Sequence, residues 1–258
     1  MNVELINGDC LEEMKKIPDG SVDMILCDLP YEVLNKGNKN ASWDRLLPFD
    51  QLWEQYNRII KDNGAIVLFA QGMFTAQLMM SNPDMWRYNL IWDKMFVSGF
   101  LNAKKMPMRS HEDILVFYKS LPTYNPQMTT GQPLHGKGNS YKNKDVTNNC
   151  YGDIKGTEDD RKGSTEKYPT SIVRFQKPHP SCAVHPTQKS VELCEWLIKT
   201  YTNEGETILD NCMGSGTTGV AAINTDRNFI GIELTEKYFK IAEDRINSAV
   251  DDKRCQLF

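Results

Sequence analysis

The chain has 258 residues, 40% hydrophobic and 25% charged, with a formal net charge of −4; that is enough apolar material for one large domain, or one domain carrying an inserted module. No apolar run approaches the roughly 18 residues a membrane-spanning helix needs, and MNVELINGDC at the start lacks the basic-then-apolar order of a secretion signal, so a cytoplasmic protein is expected. Seven cysteines, an odd number with no CxxC pair, argue against a disulfide framework and suggest small core residues.

The first half alternates short β-rich runs with helical spacing: VELIN, CLEEMKKI, VDMILC, FDQLWEQYNRIIK, AIVLFA and MFTAQLMM. That alternation predicts a parallel sheet with helices on both faces. VDMILC runs into CDLPY, residues 27–31, so an acid, a proline-restrained backbone and an aromatic ring stand at a strand's carboxyl end, where open α/β sheets bind ligands. A bare Asp-x-Pro-Tyr turn is more often structural. YNLIWDK and DILVFYK follow, joined through a loop that holds Lys104, Lys105 and Arg109. They are expected to pair antiparallel at the sheet edge.

From about Pro122 to His185 periodicity disappears, and only TSIVRF resembles a strand. Between Lys119 and Cys182 ten Lys/Arg oppose six Asp/Glu, a formal +4 that leaves −8 for the remainder. An acidic body carrying a basic module for a polyanion is the expectation, and a solvated loop the alternative. Order returns with SVELCEWLIKTY, ETILD, a glycine turn, a helix, NFIGIEL and EKYFKIAEDRINSAV. The chain therefore divides into a sheet half over 1–119, an irregular insert over 120–182 and a second sheet half over 183–258.

ILDNCMGSGTTGVAA places Asp210 at a strand end, then glycines, then a helix rich in small residues. The spacing of Gly214, Gly216 and Gly219 matches the GxGxxG turn of dinucleotide sites, a weak signal alone. Glu233 closes the next strand, where a carboxylate takes ribose hydroxyls. Asp210 ahead of the turn would repel a pyrophosphate but suits a cationic sulfonium amino acid, which favours S-adenosylmethionine over a nicotinamide. A packing turn with a surface Glu is the bland alternative. His179, Cys182 and His185 have a metal-like spacing, but no second pair follows, and no metal is expected.

DLPY and DNCMGSG together resemble the DNA amino-methyltransferases, with their (Asp/Asn/Ser)-Pro-Pro-(Tyr/Phe/Trp) catalytic motif and Phe/Asp-x-x-x-Gly-x-Gly cofactor turn. Catalytic motif first and cofactor motif last is the permuted order of the beta group, which the chain resembles from residue 3 to about 249, outside about 120–178. GDC at 8–10, WD at 43–44, HPTQKS at 185–190 and GIEL at 231–234 support it. Two departures are Leu29, in place of the motif's first proline, and Ser190, where the family usually has proline. The resemblance implies a Rossmann-like α/β fold, a mostly parallel seven-stranded sheet with an antiparallel edge strand, and an inserted target-recognition region.

It also implies the chemistry. Asp28 and the Leu29 carbonyl would accept the two N–H bonds of an exocyclic base amine, Pro30 would restrain Leu29, and Tyr31 would stack on the extruded base. Asp9 would meet the adenine amino group of S-adenosylmethionine, Glu233 beside Leu234 its ribose and Asp210 its amino acid end. Thr187, Gln188 and Lys189 would lie near the methionine carboxylate, with Cys10, Asp28, Met213, Gly214, Ser215, Gly216, Thr217 and Thr218 completing the cofactor set. Thr187 or Ser190 would equally cap the helix that follows. Trp43 would close over the substrate, and Lys104, Lys105, Arg109, Arg174 and Lys177 would meet DNA. Asp28 favours adenine N6 over cytosine N4, where Ser is commoner. No Pro-Cys pair is present for C5 chemistry, and protein glutamine methyltransferases place the cofactor turn first. The partners implied are double-stranded DNA, a second copy of the chain and a cognate restriction endonuclease, though the sequence itself decides neither of the last two. A non-catalytic DNA-binding or nicotinamide-binding Rossmann protein is the alternative from another class.

Overall fold

A computed structural model describes residues 1–32, 44–133, 146–148, 150, 152–154, 163–178 and 188–255. They group into two compact units, Met1–Asn125 with Ser171–Phe258, and Pro126–Thr170. The first unit contains β1 (Val3–Asn7), α1 (Cys10–Glu13), β2 (Val22–Cys27), α2 (Phe49–Ile59), β3 (Ile60–Ala70), α3 (Met73–Ser81), β4 (Trp86–Ser98) and β5 (Arg109–Phe117). In the second, β6 (Thr129–Thr130) pairs antiparallel with β9 (Glu166–Lys167), and β7 (Val146–Asn148) with β8 (Gly152–Ile154). The first unit resumes with β10 (Ile172–Arg174), α4 (Val191–Tyr201), β11 (Thr207–Asp210), α5 (Thr217–Asn224), β12 (Asn228–Glu233) and α6 (Glu236–Cys255).

One sheet of eight strands runs through the first unit in the order β1-β12-β11-β2-β3-β5-β4-β10. β1, β12, β11, β2 and β3 are parallel to one another, β5 is antiparallel to both β3 and β4, and β10 is parallel to β4. This is the expected α/β architecture with two corrections of detail. TSIVRF supplies an eighth strand, so the first unit reclaims β10 from the insert. β5 pairs with β4 as expected but lies inside the sheet. Ile114, Leu115, Val116 and Phe117 are consecutive and fully buried, a run that requires cover on both faces and is wasted on an edge.

The period-two alternation of the strands divides the core. Met24 and Leu26 of β2 and Ala65, Val67 and Phe69 of β3 point to the face packed by α4, α5 and α6. Ile25, Cys27, Ile66 and Leu68 point to the face packed by α1, α2 and α3. α2 is amphipathic by its spacing, with Leu52, Trp53, Tyr56 and Ile59 buried along one stripe. Cys10, Cys27 and Cys194 are free and buried, as expected of small core residues, whereas Cys212 is half-buried and Cys150 and Cys255 are exposed, against that expectation. Among the described residues no helix is long and apolar enough to cross a membrane. His179, Cys182 and His185 lie outside the described residues.

Two glycines of the turn before α5 have different tasks. Gly216 sits at φ +77 as the residue capping the helix. Gly219, inside the helix, permits contact: a Cβ there would stand 2.4 Å from Ile246 Cδ1 of α6 and 2.7 Å from Phe229 of β12. Gly219→Ala is therefore expected to overpack this junction and lower stability by about 1–3 kcal/mol. A lower urea midpoint with unchanged slope would show it, and an unmoved midpoint would deny the close packing its importance.

Candidate active site

β2 leads through α2 to β3 on one side of the sheet order, while β11 leads through α5 to β12 on the other. The neighbours β2 and β11 therefore flank a topological switch point, the place where open α/β sheets leave a crevice beyond their carboxyl ends. Here the crevice is a cavity of about 530 Å³, lined by Asp28, Leu29, Pro30 and Tyr31 after β2 and by Asp210 to Ser215 after β11. The β1–α1 turn adds Gly8, Asp9 and Cys10, and the end of β12 adds Glu233 and Leu234.

Asp28 is tied on both oxygens. Tyr31 donates its hydroxyl to Oδ1 at 2.5 Å, and Lys189 Nζ lies 2.9 Å from Oδ2. The Lys189 ammonium also reaches Glu112 Oε2 at 3.0 Å, and Lys94 Nζ meets Glu112 Oε1 at 3.2 Å. Two acids and two lysines thus alternate in one chain of contacts, and each offsets a desolvation cost that a lone buried charge would not survive. Burial pushes the Asp28 carboxyl above its ordinary range, opposed by Lys189 and Tyr31. Burial alone would raise Glu112 too, but Lys189 and Lys94 hold it below its usual value. For Lys189 burial works against the charge, yet Asp28 and Glu112 together keep it firmly protonated.

The DLPY turn is clamped from outside the motif. Asp44, 3% exposed, accepts the backbone N–H of Tyr31 at 2.9 Å and of Glu32 at 3.0 Å. Phe74 stacks on the Tyr31 ring with centroids 4.6 Å apart. Phe74 does not line the cavity, whereas Tyr31, Phe69 and Trp92 do. A planar ring entering the cavity thus finds aromatic walls and the acceptors of the β2 turn together.

The other wall is acidic. Glu233 Oε2 accepts Gly214 N–H at 2.9 Å and Oε1 accepts Thr235 N–H at 2.8 Å, which fixes the carboxylate over the glycine turn. Arg245 of α6 donates to the carbonyl and hydroxyl of Ser215 and braces the same turn. Burial pushes Asp210 up to about 6, with hydrogen bonds from Thr218 and the Cys212 N–H pulling it down. A buried carboxyl held uncomfortably at a cavity wall is satisfied by a cationic ligand. Asp9 caps α1 through Leu11 N–H at 2.9 Å and still borders the cavity. This set of acceptors fits a ligand with a positively charged end and ribose-like hydroxyls.

Of the residues expected from the sequence, Asp9, Cys10, Asp28 to Tyr31, Gln188, Lys189, Asp210, Met213, Gly214, Ser215, Thr217, Thr218, Glu233 and Leu234 border this single cavity, as do Arg109 and Lys177. Gly216 shapes the turn from beneath. Lys104 and Lys105 lie on the exposed β4–β5 loop, and Arg174 pairs with Asp93 at 3.4 Å away from the cavity lining. Trp43 and Thr187 fall outside the described residues. Ser190 is the cap of α4, accepting Leu193 N–H at 3.4 Å. Sequence reasoning missed Glu112 and Lys94, which no local pattern marks, and saw Asp44 only as half of the WD pair.

The family model described as DNA methylase (N6_N4_Mtase) matches residues 22–244. The chain belongs to this DNA methylase family. The methylase is 29% identical to the DNA adenine methyltransferase YhdJ of Escherichia coli K12, over 95% of this chain and 83% of that protein. Its fold resembles the solved M1.HpyAVI–SAM complex (TM-score 0.62, 24% identity, 95% and 99% of the two chains). It resembles equally the PvuII DNA methyltransferase, described as cytosine-N4-specific (TM-score 0.65, 16% identity, 97% and 92%). Those neighbours place the sheet in the Rossmann-like methyltransferase fold.

Proposed function

We propose that this DNA methylase transfers a methyl group from S-adenosylmethionine to the N6 amine of adenine in duplex DNA, with DLPY as its catalytic motif in the beta-group order. Family membership supports methylation of an exocyclic base amine. S-adenosylmethionine, when bound, supplies an electrophilic methyl on a positively charged sulfur. The observation that carries the reading is the convergence of the DLPY turn and the glycine turn on one cavity at the switch point.

An exocyclic amine is a poor nucleophile because its lone pair is delocalised into the ring. Asp28 and the Leu29 carbonyl accept its two N–H bonds and draw the nitrogen toward tetrahedral geometry. For this, Tyr31 must release Oδ1 as the amine arrives, while Lys189 keeps Oδ2 ionised and aimed. The cavity lies at the end of the sheet and Asp28 is largely buried, so a paired base cannot reach it and must leave the stack. The base then lies against Tyr31, a contact worth about 1–3 kcal/mol. Asp9, Asp210 and Glu233 hold the cofactor, and preorganised acceptors supply most of the rate.

Asp28 supports adenine over cytosine, and the relative that acts on adenine by its name agrees in kind. The test is incubation with tritiated S-adenosylmethionine and duplex DNA, followed by base-resolved sequencing of the product. N6-methyladenine is expected; N4-methylcytosine would move the methylase to its other substrate class, and no label would remove the activity. A second copy of the chain and a restriction endonuclease belong to the same reading, checked by sedimentation and by pull-down.

The second unit is the target reader in this proposal. Thr130 of β6 and Glu166 of β9 are paired across the two strands, so a short linker can replace the residues between them. Deletion of 131–165 is expected to leave the thermal transition of the sheet unit in place and abolish methylation at the mapped site. Continued methylation of that one sequence would locate recognition elsewhere.

A further inference from the structure

We propose that the β4–β5 loop is a wedge: Phe100 and Leu101 enter the duplex as the target base leaves it and occupy the vacated stack. The proposal rests on the reading of the chain as a base-extruding DNA methylase.

β4 is parallel to β3 through their shared partner β5, so its carboxyl end lies at the same end of the sheet as Asp28. Ser98 pairs there with Arg109, and both border the cavity. The loop between them therefore rises from the rim of the site. Gly99, at φ +87, turns the chain into a 3₁₀ segment of Phe100–Asn102. Its backbone is internally bonded, with Asn102 N–H to Gly99 O at 2.9 Å, Lys105 N–H to Asn102 O at 2.8 Å and Met106 N–H to Asn102 O at 3.0 Å. The loop is thus a formed projection.

What it projects is unusual for a solvent-facing tip. Phe100 is 75% and Leu101 82% exposed, and Met106 and Met108 of the same loop are exposed as well. Isolated exposed apolar residues need no explanation; four on one short, internally bonded loop point to a contact surface. Lys104 and Lys105 are exposed within the same loop and Arg109 stands at its base, so the apolar tip has a cationic border. Apolar side chains that part base steps, flanked by cations on phosphate, are how proteins open a stack. Extrusion of a base leaves a void that water fills poorly, and large apolar groups at the cavity rim stand where they offset that cost.

The test uses the full chain with Phe100 and Leu101 both changed to alanine, and the duplex carrying the site mapped by sequencing. Leu121→Ala serves as control, an equally exposed leucine beyond the opposite end of β5. On the paired duplex the double variant is expected to lose about ten- to a hundredfold in single-turnover rate. On the same duplex with the target base mispaired, already partly unstacked, most of the loss should vanish. An equal loss on both substrates overturns the wedge. So does a rate loss that accompanies conversion of a dimer to a monomer in sedimentation, which would assign the tip to a second copy of the chain. If the unaltered protein methylates neither substrate, the methylase reading fails instead.

Discussion

Asp28→Ala is expected to slow methyl transfer by about a hundred- to a thousandfold, the loss typical of removing one preorganised hydrogen-bonding group at the reacting atom, while S-adenosylmethionine affinity stays within a few-fold. The two halves of that expectation come from different walls of the cavity. In the proposed reading the cofactor contacts fall to Asp9, Asp210 and Glu233, none of which bonds to Asp28. Removal of the carboxylate leaves Lys189 with Glu112, and Glu112 with Lys94, so the buried lysine still has a counter-ion. The scaffold should hold. Tritium incorporation measures the first half and calorimetric titration of the cofactor the second. A variant with full turnover would take Asp28 out of the mechanism. A variant that loses cofactor binding as well would show that the two walls are coupled.

Lys189→Met should leave a slower enzyme whose acidic limb has moved to higher pH. The sign follows from the contacts. Burial already raises the Asp28 carboxyl, and Lys189 is the strongest influence pulling it back. In the proposed mechanism Asp28 must be ionised to accept the amine, so activity is expected to fall as pH drops through its pKa. Without the lysine that loss begins sooner on the way down. Lys189→Arg keeps the charge and should keep the limb near its original position. Methionine also leaves two buried acids with one fewer partner, a loss of about 3–5 kcal/mol in comparable settings, so the profile is to be recorded well below the variant's melting temperature. An unshifted limb in a folded Lys189→Met protein would mean that the lysine supports the fold without acting on Asp28.

The legible part of this molecule was whatever repeats with a period or sits at a strand tip. Alternating runs fixed β2, α2, β3, β11 and β12, and the chemistry of DLPY and of Asp210 ahead of GSGTTG pointed to both cavity walls. What stayed hidden was pairing between distant strands. The antiparallel pairing of β5 with β4 is legible, but nothing near Glu112 announces that β3 is its other neighbour, which brings its amino end, and the acid there, to the mouth of the site. Lys94 stands in the YNLIWDK run with no local sign of burial and is 2% exposed, paired with Glu112 at 3.2 Å. Lys189 was assigned to the cofactor from its motif, and the fold gives its ammonium to Asp28 and Glu112. Sequence spacing reveals that β4 and β5 pair and not what lies on their far sides, where β3 and β10 place the pair inside the sheet.

The order of the sheet has a consequence for how the chain is made. β1 and β2 precede the other described strands in the chain, yet the strands that separate them, β12 and β11, follow all the rest of the described sheet. While the polypeptide emerges from the ribosome, both early strands therefore wait with open hydrogen-bonding edges. The interval before their true neighbours arrive is when a wrong partner is most easily taken.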